Sequence, residues 1–248
     1  MQRRSYLASG VLIALIVAAS VLVAAQARRS NPVLAEHMRE HFARVYEVEA
    51  AVTRGDLEAV KAPAEWLASH DPSKELDKAS ASQVSTMREA ARRAADAKDI
   101  PSAAAATGAM LAACGDCHRA AGVVPSPAVS PDTKVGGTVG HMQQHQHAVE
   151  LMADGLIIPS AAAWSKGASM LKEAPLRSAQ LPKDPKLTRE IAAAEDRVHL
   201  LADQAASAGE EQARVTTYSQ IIGACAQCHG LHGRVWGPGI TPSKTPIQ

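Results

Sequence analysis

Residues 34–52 read LAEHMREHFARVYEVEAAV, and residues 138–156 read TVGHMQQHQHAVELMADGL. In both stretches mostly apolar side chains recur at alternating steps of four and three residues, the heptad spacing of one helix face. The six positions are Leu34, Met38, His41, Val45, Val48 and Val52 in the first stretch, and Thr138, Met142, His145, Val149, Met152 and Leu156 in the second. The two stretches therefore predict two long amphipathic helices, each with a methionine and a histidine on its buried seam.

These stretches belong to an internal repeat, which is the first thing to look for in a chain of this length. His-Met-x-x-His at 37–41 recurs 104 residues later at 141–145. Cys-x-x-Cys-His at 114–118 recurs 111 residues later at 225–229. The offset grows by seven residues between the two motifs, so the second copy has a longer middle. The chain therefore contains two copies of one unit.

Each copy is predicted to fold as four helices with short connections, for which an up-down-up-down bundle is the default arrangement. Asp56 and Ser160 are the expected N-caps of the second helix in each copy. Strands are not expected, because β-branched residues rarely alternate with polar ones. We predict an all-α protein made of two tandem four-helix bundles. Its predicted segments are an N-terminal signal or anchor (1–30), two bundles (31–122 and 138–236), a proline-rich linker (123–137) and an extended tail (237–248).

The N-terminus predicts export. Arg3 and Arg4 precede an uncharged, strongly apolar stretch, and Ala25-Gln26-Ala27 matches an A-x-A cleavage site. Residues 7–25 are also long enough to remain as an uncleaved membrane anchor. Both alternatives place the rest of the chain on the periplasmic side of the bacterial inner membrane, either anchored or soluble after cleavage near Ala27.

Composition limits the possible partners and the way the core is filled. Of the 248 residues, 26 are Lys or Arg and 25 are Asp or Glu, so the net charge of +1 excludes a basic nucleic-acid footprint. Aromatic residues are scarce, with one Phe, three Trp and three Tyr. A core with so little aromatic bulk has room for a large prosthetic group, and the apoprotein is expected to fold poorly.

The four cysteines predict the prosthetic group. Cys114, Cys117, Cys225 and Cys228 form two Cys-x-x-Cys-His motifs, the form of a c-type haem attachment site. Two thioethers fix the porphyrin to one turn of chain, and His118 or His229 is then held under the iron as its proximal ligand. We therefore expect two covalently attached haem c groups. The alternatives are a thioredoxin-like pair, a zinc site and a disulfide. A thioredoxin-like pair needs a βαβ context that is absent, and a zinc site needs the two motifs to meet. A disulfide is strained at this spacing and leaves each histidine unexplained.

The sixth iron ligand has several candidates. In an up-down-up-down bundle the start of helix 1 lies beside the end of helix 4, so His-Met-x-x-His should face the haem. Met38 and Met142, or His41 and His145, are the distal candidates, and a vacant iron is the third possibility. His37 and His141 are expected at the edge of the site. His70, His199 and His232 have no partners in the repeat and are expected to be ordinary exposed histidines.

These residues carry a family resemblance. Each copy resembles a class II c-type cytochrome, of the cytochrome c-prime family, which implies a four-helix bundle with Cys-x-x-Cys-His near the end of helix 4. Low-spin members use a methionine near the start of helix 1 as sixth ligand, a position to which Met38 and Met142 correspond. High-spin members leave that position open and bind nitric oxide or carbon monoxide. His41 and His145 depart from the family pattern.

Electron transfer is the function that these features favour. The haems would pass electrons between unidentified redox partner proteins, and a near-neutral surface predicts weak, transient docking. The N-terminal helix adds the inner membrane as a possible partner. No catalytic residue is predicted, and the chain is not expected to be an enzyme. The alternatives are a gas-binding haem protein and a di-haem redox enzyme such as a peroxidase, each of which needs a five-coordinate iron.

Overall fold

A computed structural model describes residues 32–70, 76, 80–122, 137–172 and 183–236, the last five by their backbone alone. These residues form eight helices and no strand, so the predicted all-α class is confirmed for them. The helices are α1 (Pro32–Arg54), α2 (Leu57–Ser69), α3 (Ala81–Ala95), α4 (Ile100–Ala121), α5 (Gly137–Ile157), α6 (Ala161–Lys172), α7 (Pro185–Ser207) and α8 (Glu211–Trp236). The predicted signal or anchor, the tail and nearly all of the linker lie outside the described residues.

Short polar side chains fix where the helices begin. The carboxylate of Asp56 accepts a hydrogen bond from the backbone N–H of Ala59, and the hydroxyl of Ser160 accepts one from Ala163. Both predicted N-caps are therefore confirmed. Asp99 caps α4 in the same way, and Asp184 caps α7, where Pro185 occupies the first turn.

The chain divides into two compact units, Met1–His41 and Phe42–Gln248. The described part of the first unit is the beginning of α1. In the second unit, α5 packs against α6 and α8, and α7 packs against the same two helices. Helix α3 packs against α2 and α4, and α4 also packs against α5 and α8.

One apolar core runs through the second unit and draws on both copies of the repeat. Small side chains dominate it, and a few large ones fill its centre. The largest fully buried members of this core are Leu67, Met110, Leu111, Met152, Trp164, Leu171, Leu201, Tyr218, Ile221 and Ile222. The abundance of alanine lets the helices approach closely, as the low aromatic content of the sequence requires.

Equivalent positions of the two copies meet each other. Gly108 of α4 and Ser219 of α8 correspond in the repeat, and a Cβ atom added at Gly108 would overlap the Ser219 hydroxyl. Tyr46 of α1 and Glu150 of α5 also correspond, and the phenol donates to the carboxylate at 2.9 Å. Contacts between equivalent positions are the mark of an approximate twofold relation, as in an isologous dimer.

In the part of the chain that the structure describes, no helix combines the length and the apolar character needed to cross a bilayer.

Candidate functional sites

The first Cys-x-x-Cys-His motif lies in the last turns of α4. Cys114 and Cys117 are half-buried thiols. Burial, with a further contribution from Cys117, raises the pKa of Cys114 to about 12. This thiol therefore stays protonated at neutral pH, which distinguishes it from the low-pKa thiolate of a redox enzyme.

His118 of this motif is held by the other copy of the repeat. Its Nδ1 lies 2.8 Å from the backbone carbonyl oxygen of Ile157, the last residue of α5. A carbonyl can only accept, so Nδ1 carries the proton and the lone pair of His118 is on Nε2. An imidazole fixed in this way is ready to bind a metal through Nε2.

The second motif, near the end of α8, repeats this arrangement. The imidazole of His229 is hydrogen-bonded to the backbone of Thr53, near the end of α1. Thr53 and Ile157 are equivalent positions of the repeat, 104 residues apart. Burial lowers the pKa of His229, although the bond to Thr53 acts in the opposite direction. Both motif histidines are therefore bonded to the carboxyl end of the other copy's first helix.

The second motif opens onto a cleft between α5 and α8, which we call the α5–α8 cleft. Its lining includes Met142, His145, Cys225, Cys228 and His229. The structure thus brings together both predicted cysteines, the predicted proximal histidine and both distal candidates of this copy. The cleft has a volume of about 30 Å³.

His145 is the polar side chain in this cleft that most needs a partner. The residue is 8% exposed, and none of the described residues forms a hydrogen bond with its Nε2. Burial, with a further contribution from the nearby His141, lowers the pKa of His145 to about 4. The imidazole is therefore neutral at pH 7, with a buried nitrogen able to act as a metal ligand.

Glu195 of α7 lies beside this histidine and was not predicted from the sequence. Its Oε1 atom is 3.1 Å from Nε2 of His141, 3.2 Å from Nε2 of His199 and 3.9 Å from Nε2 of His145. Burial acts to raise the pKa of Glu195, but hydrogen bonding from His141 and the neighbouring histidines outweigh it, and the pKa lies below its ordinary value. His141, His145 and Glu195 form a buried group that could hold a metal ion.

Two histidines differ here from the sequence-based expectation. His141 is 7% exposed, where an edge position was predicted. His199 is half-buried against Glu195, where a freely exposed side chain was predicted. The i,i+4 spacing of Glu195 and His199 was the signal that could have linked them.

The distal candidates of the first copy lie in the Met1–His41 unit. His41 is buried and Met38 is half-buried on α1, and the ring of His41 stacks on that of His37 with centroids 4.6 Å apart. Their role at the first motif stays a prediction.

Searches of family models, curated proteins and solved structures found no match for this chain. The chemistry of the motifs and of the α5–α8 cleft therefore has to support the functional conclusion without a relative.

The residues of the α5–α8 cleft fit a covalently attached haem. Cys225 and Cys228 provide two protonated thiols, because burial raises the pKa of each to about 12. His229 provides an imidazole whose orientation is fixed by Thr53. The unpartnered Nε2 of His145 provides a second nitrogen, from a different helix, in the same cleft.

Proposed function

We propose that this chain is an exported di-haem c-type cytochrome that carries electrons between redox proteins at the periplasmic face of the inner membrane. The observation that supports this most strongly is the α5–α8 cleft, to which one helix contributes both thiols and a tethered imidazole, and another contributes an imidazole without a partner. Two four-helix bundles of the cytochrome c-prime type, each with one haem, are the architecture that we propose.

Attachment requires only the chain's own thiols and the vinyl groups of a porphyrin. Each sulfur forms a bond to one vinyl carbon, and the thiol proton passes to the other vinyl carbon, so no oxidant or reductant is consumed. Cys114 and Cys117 would hold the first haem, and Cys225 and Cys228 the second. The low acidity of the Cys114 and Cys225 thiols keeps the S–H proton available for this addition.

Haem supplies reversible one-electron chemistry at its iron when bound. His118 and His229 are the proposed proximal ligands. Nδ1 of His118 is bonded to the backbone carbonyl of Ile157, and the imidazole of His229 is bonded to the backbone of Thr53. Met142 or His145 in the second copy, and Met38 or His41 in the first, would be able to supply a further ligand to the iron. The burial of these side chains would contribute to the potential of each haem.

The test is the visible spectrum of the full-length protein, produced in a host that attaches haem c and recorded oxidised and reduced, with and without carbon monoxide. We expect a mass increase of two haems and low-spin spectra that carbon monoxide leaves unchanged. A matched variant, Cys225→Ala with Cys228→Ala, should retain one haem.

Two outcomes would change the conclusion. A high-spin spectrum shifted by carbon monoxide would favour a gas-binding protein or a di-haem redox enzyme with an open iron. A purified protein without covalent haem would exclude the proposed function altogether.

A further inference from the structure

The carboxyl end of the first helix in each copy lies against the haem motif of the other copy. We propose that each copy positions the proximal histidine of the other copy's haem, with Thr53 tuning the second haem and Ile157 tuning the first. This inference rests on the proposed di-haem function and adds how the two sites are coupled.

The pairing of residues is the same at both sites. His118 Nδ1 is 2.8 Å from the carbonyl oxygen of Ile157, and His229 is hydrogen-bonded to the backbone of Thr53. Thr53 and Ile157 are equivalent in the repeat, as are His118 and His229. A chance contact would not recur at both pairs of equivalent positions.

The helix ends make these carbonyls available. The last four carbonyl groups of a helix have no partner within it. Gly55, with φ of +73°, turns the chain away after α1, and the backbone N–H of Gly55 bonds to Val52. The carbonyl of Ile157 ends α5 in the equivalent place. An imidazole N–H is a fitting donor at the negative end of a helix dipole.

Small residues allow each haem motif to approach the end of the other copy's first helix, and the glycine lies on a different side of the contact at the two sites. At the first site Gly115 lies against α5, and a Cβ atom there would overlap the Leu156 carbonyl and come within 3.4 Å of Pro159. At the second site the equivalent of Gly115 is Ala226, and the equivalent of Pro159 is Gly55. A Cβ atom at Gly55 would lie 3.4 Å from the Ala226 carbonyl oxygen. At the first site the glycine lies in the haem motif, and at the second site it follows the first helix, so both contacts remain close.

A hydrogen bond from Nδ1 makes the imidazole a more basic ligand. A more basic ligand stabilises the oxidised iron and lowers the midpoint potential. Loosening the end of α1, which belongs to the first copy, should therefore raise the potential of the second haem.

The test is Gly55→Ala in the full-length holoprotein, which forces an alanine into the left-handed region beside Ala226. We expect the midpoint potential of the second haem to shift upward while that of the first stays unchanged. The haems are assigned by NMR, which also reports the proximal Nδ1 proton: that of His229 should exchange faster with deuterated water in the variant. Gly230→Ala, one residue after His229 with no atom within 4 Å of the added Cβ, is the matched control and should change neither property.

Gly115→Ala is the reciprocal variant, and it should raise the potential of the first haem alone. It also keeps the inference testable if Gly55→Ala fails to fold. The motif itself accommodates alanine at this position, as Ala226 shows in the second copy, so the effect of Gly115→Ala comes from its overlap with the Leu156 carbonyl. A shift of the first haem by Gly55→Ala, or no shift in either variant, would overturn the inference. Absence of covalent haem from the unmodified protein would instead overturn the proposed function.

Discussion

Glu49 of α1 carries a carboxyl group that is only 3% exposed. Its pKa is raised from 4.5 to about 8, chiefly by burial and also by the charges of Glu150 and Asp154, while a hydrogen bond from Tyr218 acts in the opposite direction. Within the fold Glu49 therefore holds a proton that the unfolded chain has already released. Between pH 4.5 and 8 unfolding releases this proton, so the stability of the protein falls as the pH rises through that window.

Replacing this carboxyl tests that dependence. We expect Glu49→Gln to raise the free energy of unfolding at pH 8 by about 1–3 kcal/mol, the scale of a buried polar group that lacks a good partner. The gain should shrink towards pH 4.5, where the native side chain is neutral as well. Part of the pH dependence should remain, because burial also raises the pKa of Asp154, to about 6. Urea denaturation across this pH range measures the effect, with the exposed Glu65→Gln as control. Equal gains at both ends of the range would contradict it.

The sixth ligand of the proposed second haem is a second question at the residue scale. Both Met142 and His145 line the α5–α8 cleft, but only His145 leaves a buried nitrogen without a partner there. Such a nitrogen is costly unless a ligand satisfies it, whereas a thioether needs no partner.

We therefore expect His145→Ala to convert the second haem to a high-spin form that binds carbon monoxide. Met142→Ala, the matched control from the same cleft, should leave it low-spin. Reduced spectra of the two variants with and without carbon monoxide distinguish the ligands. A low-spin His145→Ala variant and a high-spin Met142→Ala variant that has lost an iron–sulfur charge-transfer band would identify Met142 as the ligand.

At the scale of the helices, the sequence predicted what local spacing determines. The caps Asp56 and Ser160 depend on residues within one turn, and the structure has them as expected. The seams of α1 and α5 lie on helices as predicted, and they are buried from His41 and His145 onward. Glu195 escaped prediction because its meeting with His141 depends on how α7 is rotated against α5. No spacing within one helix determines that rotation.

The close approach of α4 to α8 makes a prediction at this scale. A Cβ atom at Gly108 would overlap the Ser219 hydroxyl and lie 3.1 Å from the Val215 carbonyl oxygen. We expect Gly108→Ala to push the two helices apart and lower the free energy of unfolding by about 1–3 kcal/mol. At Gly223 of α8, the nearest atom is 4.0 Å from the added Cβ. Gly223→Ala should therefore raise stability by about 0.5–1 kcal/mol, through its better helix propensity.

Circular dichroism during urea denaturation measures both variants under the same conditions. If Gly108→Ala proved as stable as Gly223→Ala, the close contact between α4 and α8 would be refuted.

At the scale of the whole molecule, the repeat was visible in the sequence, but the surfaces through which the two copies meet were not. Matching motifs at offsets of 104 and 111 residues identify two copies. They do not show which surfaces the copies bury against each other, because that depends on side-chain shape at positions far apart in the chain. The contacts of Tyr46 with Glu150 and of Gly108 with Ser219 supply that information.

The shared core makes the last prediction. Met110 and Leu111 of the first copy and Tyr218, Ile221 and Ile222 of the second belong to one apolar cluster. Neither copy can lose its part of this cluster without exposing the other's, so we expect one cooperative thermal transition for the holoprotein. Calorimetry and circular dichroism should report the same midpoint.

Removing the proposed first haem by Cys114→Ala with Cys117→Ala should lower this single transition, because the contacts between haem and helices are then lost. The matched pair Cys225→Ala with Cys228→Ala should behave alike. Two separate transitions, or a second copy that melts at its original temperature after the first haem is lost, would show that the copies fold independently despite their common core.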